Sequence, residues 1–409
     1  MATIGDNVAA LRRQVPMTQE QLAEASGVAA VTIRKLETNE RTTARMATLS
    51  ALARALGVTT SRLLGDASSA AARREPTAAP LALLDIRRAL TPVRGLDGEL
   101  IAASAEAEPP TAGQVRESLR AASRLYHTND YGAGLSVLPG LLAEARAAVE
   151  VDDDEAQAYA LLSQAYQLAG RLLIQFRAVD LAYTAVAASR DAAARSGSDV
   201  IAAAVVGPMC WLLLRQARLG EAEQLAVHAA DQVEPTRISR AGTDHVAAWG
   251  WLLVEASAAV MRDGRDGDAQ EMLDLAETAA TRISNHPPTG LSMIDGFGPG
   301  KVAALRTEAA AVAGDPRRVL TLAERLPVDD RRMTASCYQR HRLDVAWAHT
   351  ELGDYAQATA VLTDLRDRAP AWLRQQRYAR DIVRSISAGR RRAMTEELAE
   401  LARLVGAAE

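Results

Sequence analysis

Met17-Thr-Gln-Glu-Gln-Leu-Ala-Glu-Ala-Ser-Gly-Val-Ala-Ala-Val-Thr-Ile-Arg-Lys-Leu-Glu37 is the stretch whose reading decides the fold. Two short amphipathic segments flank a glycine, the pattern of two helices joined by a tight turn. Thr18 stands at an N-cap position, and Gln21, three places on, completes a capping box. Leu22 and Ala23 turn inward, and Ala25 is small enough for a second helix to cross closely. Gly27 supplies the turn, because glycine takes a positive φ without steric cost. Val28, Ile33 and Leu36 recur at helical spacing and give the second helix a buried face. Its outward positions are Ala30, Val31, Thr32, Arg34 and Lys35.

The pattern extends both ways. Val8 and Leu11 predict a helix closed near Pro16. Leu49, Leu52, Ala53 and Leu56 predict another, ended by Gly57, and Leu63 and Leu64 a short fifth. This run resembles the Cro/repressor-type (XRE) helix-turn-helix domain. The resemblance is carried by Leu11-Arg12-Arg13, Thr18-Gln19-Glu20-Gln21-Leu22-Ala23, Gly27-Val28, Thr32-Ile33, Leu36-Glu37 and Leu52-Ala53-Arg54-Ala55-Leu56-Gly57-Val58. It implies that the second of the two helices reads the DNA major groove. Gln19 is then expected to touch phosphate, and Ala30, Val31 and Lys35, with Thr32 and Arg34 beside them, to face base edges. Arg41 or Arg45 matches a basic residue that reaches the backbone or minor groove.

Here the chain departs from the usual pattern. Ala29, Ala30 and Val31 replace polar residues at the head of the reading helix; they pack against thymine methyl groups but cannot hydrogen-bond bases. Hydrogen-bonding readout falls on Lys35 and Arg34, with DNA shape contributing. Asn39 stands where glycine is usual, and asparagine tolerates the left-handed region comparatively well.

Charge places nucleic acid at this head. Residues 1–65 carry eight Lys/Arg against five Asp/Glu, a net +3, so a total of −4 leaves −7 on the rest. A mildly basic head on an acidic body confines phosphate binding to the head. Of 47 basic residues, all but Lys35 and Lys301 are arginine.

At 409 residues the chain is long enough for further domains. Hydrophobic residues make up 48% but aromatics only 4%, so the interior rests on Ala, Leu and Val. Residues 66–80 read as a linker within a 66–113 connector that also holds a short helix over 81–90. Beyond residue 114 the pattern is helical throughout, and turns recur with a common flavour: Phe176-Arg-Ala-Val-Asp-Leu-Ala182, Ala217-Arg-Leu-Gly-Glu-Ala222, Gly264-Arg-Asp-Gly-Asp-Ala269, Ala313-Gly-Asp-Pro316 and Leu352-Gly-Asp-Tyr-Ala-Gln-Ala358. The last falls at the register of a tetratricopeptide repeat, although Arg342 and Ala346 replace the consensus aromatic and glycine of its first helix.

The expected architecture is therefore all-α: a five-helix helix-turn-helix domain (1–65), a connector (66–113) and a tetratricopeptide-like α-solenoid (114–409). Such an array buries its apolar faces by stacking and presents a concave binding face. The layout resembles helix-turn-helix/tetratricopeptide regulators of actinobacterial type, which share a Phe-Gly-Pro turn like Phe297-Gly-Pro299, and peptide-sensing quorum regulators of Gram-positive bacteria. That resemblance implies transcription control by a small-molecule or peptide effector, a homodimer and a palindromic operator in double-stranded DNA. Tyr166, Trp211, Arg215, Trp251 and Phe297 are candidate effector contacts, Arg215 following Trp211 by one turn. Core packing is the plainer role for the aromatics. The other reading is a protein-interaction scaffold whose repeats dock a partner protein, the head serving for localisation.

Enzyme chemistry finds no support. The six histidines and two cysteines lack metal-ligand spacing, so no metal or cofactor is expected. Gly296 to Lys301 lacks the full spacing of a phosphate loop and reads as a helix-capping turn. Asp152-Asp153-Asp154 reads as a helix N-terminus. Cys210 and Cys337 are expected as buried free thiols in a cytoplasmic protein, and Val200 to Leu214 is too short to cross a bilayer. Ala388 to Leu404, basic and then amphipathic, is a candidate dimer surface.

Overall fold

The computed structural model describes residues 3–41, 44, 46–64, 83–93, 95–96, 109–284, 294–326, 333–389 and 395–407. Five helices form the head: α1 (Ile4–Gln14), α2 (Gln19–Ser26), α3 (Ala30–Glu37), α4 (Met46–Ala55) and α5 (Thr60–Leu64). Both halves of the predicted capping box form at Thr18 and Gln21, and Gly27 ends α2 at φ +68°. A second capping box, Thr3 with Asp6, starts α1. Val8, Leu22, Ile33, Leu36 and Leu52 are fully buried together. Ala25 differs from expectation: it is exposed, and the close crossing is carried by Leu22 instead. Asn39 takes φ +59° and donates from Nδ2 to Asp6 Oδ1 at 3.2 Å.

After α6 (Leu84–Leu90), helices come in antiparallel pairs: α7 (Ala112–His127) with α8 (Tyr131–Val151), α9 (Glu155–Gln175) with α10 (Val179–Ser196), α11 (Asp199–Arg215) with α12 (Leu219–Gln232), and α13 (Thr243–Arg262) with α14 (Asp266–Arg282). There follow α15 (Pro299–Ala313) with α16 (Pro316–Ala323), α17 (Ala335–Glu351) with α18 (Tyr355–Arg368), the short α19 (Pro370–Arg374), and α20 (Arg377–Gly389) with α21 (Glu396–Val405). The first six pairs share one local device. A single residue in the left-handed region (Asn129, Arg177, Ala217, Gly264, Gly314 or Gly353) turns the chain between the two helices. Each interval between these residues exceeds the roughly 34-residue tetratricopeptide period.

First helices line up in sequence: α7 on α9, α9 on α11, α11 on α13, α13 on α15, α15 on α17 and α17 on α20. The second helices flank this inner row, so the pairs bury faces that none could bury alone. Small residues set the spacing. A Cβ on Gly250 would lie 2.2 Å from the Phe297 ring, so only glycine lets the Ile294–Gly296 turn seat that ring in the core.

The head does not stand apart. Its core is continuous with that of α11 to α15, and α4 packs on α15. Ser50 Oγ donates to the Arg262 carbonyl and Thr60 N–H to the Asp263 carbonyl, both at 3.4 Å, and Arg54 pairs with Asp266 at 3.2 Å. The head thus docks through α4 and α5 onto the turn that ends α13. The proposed linker 66–80 lies outside the described residues. The amphipathic face of α21 is spent inside the chain, with Leu398, Leu401 and Val405 buried against α18 to α20.

Candidate functional sites

The first site is the outer face of α2 and α3. Arg12 reaches from α1 to Glu37 at the end of α3 through two hydrogen bonds, Nε to Oε1 at 2.7 Å and Nη2 to Oε2 at 2.8 Å. Its third nitrogen donates to the Met17 carbonyl at 2.8 Å. Gln19, at the start of α2, adds Nε2 to Glu37 Oε2 at 2.7 Å. Burial works against the Glu37 charge, but the bonds from Arg12 and Gln19 outweigh it and hold the carboxyl below its usual range. One carboxylate therefore fixes the angle between three helices, since a two-pronged guanidinium bond is directional as well as strong.

That frame presents Val31, Arg34, Lys35 and Arg41 as exposed side chains, with Ala30 and Thr32 half-exposed beside them. Val31 keeps 54% of its surface open, a large value for an apolar side chain. Ala29 gives α3 no side-chain cap. Gln19 is half-buried and commits one amide hydrogen to Glu37, leaving the other for an external acceptor. Arg45 lies outside the described residues. Docking through α4 and α5 leaves this whole face uncovered by the body's inner pairs.

The second candidate site is the inner row of the body. Glu308 on α15 binds Arg262 of α13 through Nη2, and Arg340 of α17 at 3.2 Å. Burial would raise the Glu308 carboxyl, yet Arg262, Arg340 and Lys301 hold it down at about 2. Glu255, one turn beyond Trp251 on α13, has no such direct partner; burial pushes it up to about 7, against the pull of Lys301 and Arg262. Asp344 on α17 is likewise driven up by burial to about 7, with Arg340 at 3.6 Å opposing. The Lys301 ammonium stands 5.3 Å over the Trp251 ring.

Farther along the row the charge is positive. The Arg171 guanidinium carbon stands over the Tyr126 ring, 4.0 Å from its centroid, and Gln175 Nε2 donates to the Tyr126 hydroxyl at 3.4 Å. Arg215, at the end of α11, is exposed by area, yet burial pushes its guanidinium down to about 10, Arg177 and Arg340 adding their repulsion. Arg377 and Arg380 of α20 act on Arg177 in the same way.

Among the described residues, several buried polar atoms of this row make no hydrogen bond: Trp251 Nε1, Gln339 Oε1, Arg340 Nε, His341 Nδ1 and Arg342 Nε. Native interiors rarely leave such groups unmet. All but Trp251 Nε1 lie on α17.

The expected effector contacts scatter. Trp251 and Arg215 belong to the row. Trp211, half-buried against the core one turn before Arg215, stands next to it. Phe297 is fully enclosed by the core. Tyr166 is buried on α9, its hydroxyl 3.3 Å from Arg146, which also bonds the Ala89 carbonyl of α6. Arg171, Glu255, Arg262, Lys301, Glu308, Arg340 and Asp344 were not foreseen. Glu255 did leave a trace, a lone carboxylate in a run buried from Val246 to Met261.

Gly298 and Pro299 do cap α15, and Asp154 caps α9 through Gln157 N–H at 3.0 Å. Cys210 is buried and in no disulfide, its Sγ 3.6 Å from the Ala222 carbonyl, and burial raises its thiol; Cys337, on α17, forms no disulfide and is only half-buried. Among the described residues no cluster has the make-up of a metal site, and no helix is long and apolar enough to cross a membrane.

Residues 8–63 match a helix-turn-helix family model, covering the five-helix head and none of the pairs. Among curated proteins and solved structures, none matches the chain. The head is an XRE-type helix-turn-helix domain, and the protein a DNA-binding transcription regulator.

Proposed function

We propose that the body, a solenoid of tetratricopeptide-like pairs, senses a small effector in its inner row and transmits occupancy to the DNA-reading head. One residue supports this reading above all. Arg262 ends α13 with its side chain on Glu308, inside the row, and its carbonyl on Ser50 of the head, 3.4 Å away. Any ligand that draws Arg340 or Glu308 toward itself changes the hold on Arg262, and with it the seat of α4 and α5. Coupling of this kind needs an element with two arrangements that both sites bias. The turn from Arg262 to Asp266 is that element in our reading.

On the DNA side, Lys35 and Arg34 supply hydrogen bonds, and Ala30 and Val31 read thymine methyls. Thr32 stands beside these base-facing residues, Gln19 touches phosphate, and Arg41 or Arg45 reaches the backbone or minor groove. Two heads on a palindromic operator require a homodimer, each copy reading one half-site. A gel shift on DNA upstream of the protein's own coding sequence tests the reading, repeated with small-molecule fractions of a cell extract. We expect binding that one fraction releases or tightens. Binding insensitive to every fraction would favour the partner-docking scaffold.

A further inference from the structure

The inner row is charged in a lopsided way. Its carboxylates, Glu255, Glu308 and Asp344, sit on α13, α15 and α17, and Glu308 is already held by Arg262 and Arg340. The stretch formed by the ends of α7, α9 and α11 holds Arg171 and Arg215 beside Tyr126 and Tyr131. Neither arginine forms an ion pair or a side-chain hydrogen bond among the described residues. The Arg171 guanidinium carbon stands 4.0 Å from the Tyr126 ring centroid, over its face. A planar guanidinium held by stacking keeps its edge donors aimed and free, the arrangement that receives an anion at low entropic cost.

A second observation is independent of this charge. Arg340 Nε and Arg342 Nε are buried donors with no acceptor among the described residues. Arg340 also links the two ends of the row, since it pairs with Glu308 and its charge acts on Arg215. Buried donors without an acceptor, beside guanidinium groups with no ion pair among the described residues, lack an acceptor-rich anion.

We propose that the inner row binds a small molecule through a carboxylate or phosphate group clasped by Arg171 and Arg215, with Arg340 at its far edge. This rests on the sensing reading above and names the class of effector. Binding draws Arg340 toward the anion and away from Glu308, which changes what Arg262 holds.

Titration calorimetry on the full chain without DNA tests it, using pyrophosphate and citrate as probes and sodium chloride at matched ionic strength as the blank. Saturable binding of pyrophosphate marks a phosphate effector, and of citrate a carboxylate one. Arg215→Gln and Arg171→Gln should each weaken binding by roughly tenfold or more, the loss expected for one charge-assisted bond to an anion. Arg54→Gln, on the exposed head–body pair, should bind as the parent does. The Arg215 side chain makes no hydrogen bond among the described residues, and circular dichroism checks that its variant is intact; should it misfold, Arg171→Gln decides alone. No saturable heat from either probe, or equal binding by the variants, overturns the proposal. Because DNA is absent, binding without any effect in the gel shift refutes the sensing reading and leaves the anion site standing. A gel shift that responds to an extract fraction while both probes stay silent does the reverse.

Discussion

Two buried ionic clusters sit in this chain and are built to different standards. In the head, Arg12, Gln19 and Glu37 use their hydrogen-bonding capacity on one another and on the Met17 carbonyl. In the body, Glu308 has two guanidinium partners, while Arg340 Nε, Arg342 Nε and Trp251 Nε1 find no partner among the described residues. A closed network rigidifies; an open one stores an unfilled demand that a ligand can meet. The difference teaches where each region's work is done. The head reads DNA with a surface held from beneath by a satisfied pair, whereas the body keeps its unsatisfied groups facing inward.

The contrast breaks most visibly at Glu37. Glu37→Ala strands Arg12 and Gln19 in a poorly hydrated site, a loss of about 3 kcal/mol or more. Amide hydrogen exchange at Leu22 and Ile33 should quicken by roughly two decades, and operator binding should fall with it. Amides of α9 should keep their protection. Equal acceleration in α9 would mean that head and body open as one unit.

Acid sharpens the comparison. The Glu37 carboxyl is held below its usual range, so its contribution is full at neutral pH and fades only as pH falls through and below ~4. Glu255 behaves oppositely. Unfolded, it ionises near ~4.3; folded, it keeps its proton up to about 7. Between those values the folded state binds more protons, so this group's contribution to stability declines as pH rises from 5 to 7. Half-buried His127 and buried His341, both held down to about 4, slope the other way, so the variant difference is the clean measure. Glu255→Gln should match the parent near pH 5 and exceed it by on the order of 2 kcal/mol at pH 8 in urea unfolding.

Smaller effects probe the two surfaces. Lys35→Ala should raise the operator Kd about tenfold, as loss of a base contact does, in a gel shift at fixed salt. If the loss is instead uniform over unrelated DNA, Lys35 holds phosphate and readout falls to Arg34 and Val31. Arg54→Ala removes an ion pair whose side chains are about half exposed, and should cost less than ~0.5 kcal/mol. A larger cost would mark that pair as a true latch between head and body.

The head was legible because its signals are local. A cap at Thr18, a turn at Gly27 and buried residues spaced along one helix all lie within a few dozen positions. Asn39 was equally readable, because the left-handed region admits few residue types. The inner row was not. Arg262, Glu308 and Arg340 meet only after α13, α15 and α17 have stacked, and nothing in their own neighbourhoods announces it. Aromatic scarcity pointed to Trp251 but equally to Phe297, which went to the core because Gly250 leaves a notch that sequence spacing does not disclose. The polar residues Gln339 to Asp344 did break the repeat pattern at Arg342, and that breach marks the place where packing was given up for hydrogen-bonding groups.

Lysine is so scarce here that the two copies become reporters. Lys35 is exposed on the face turned to DNA, and Lys301 stands half-exposed over Trp251. Their ε-amines are the only side-chain amines in the chain. One acylating dye applied to the native protein therefore tags both surfaces, and peptide mapping tells them apart. Shielding of the first by an operator and of the second by a ligand would be read in one tube, from an unaltered sequence.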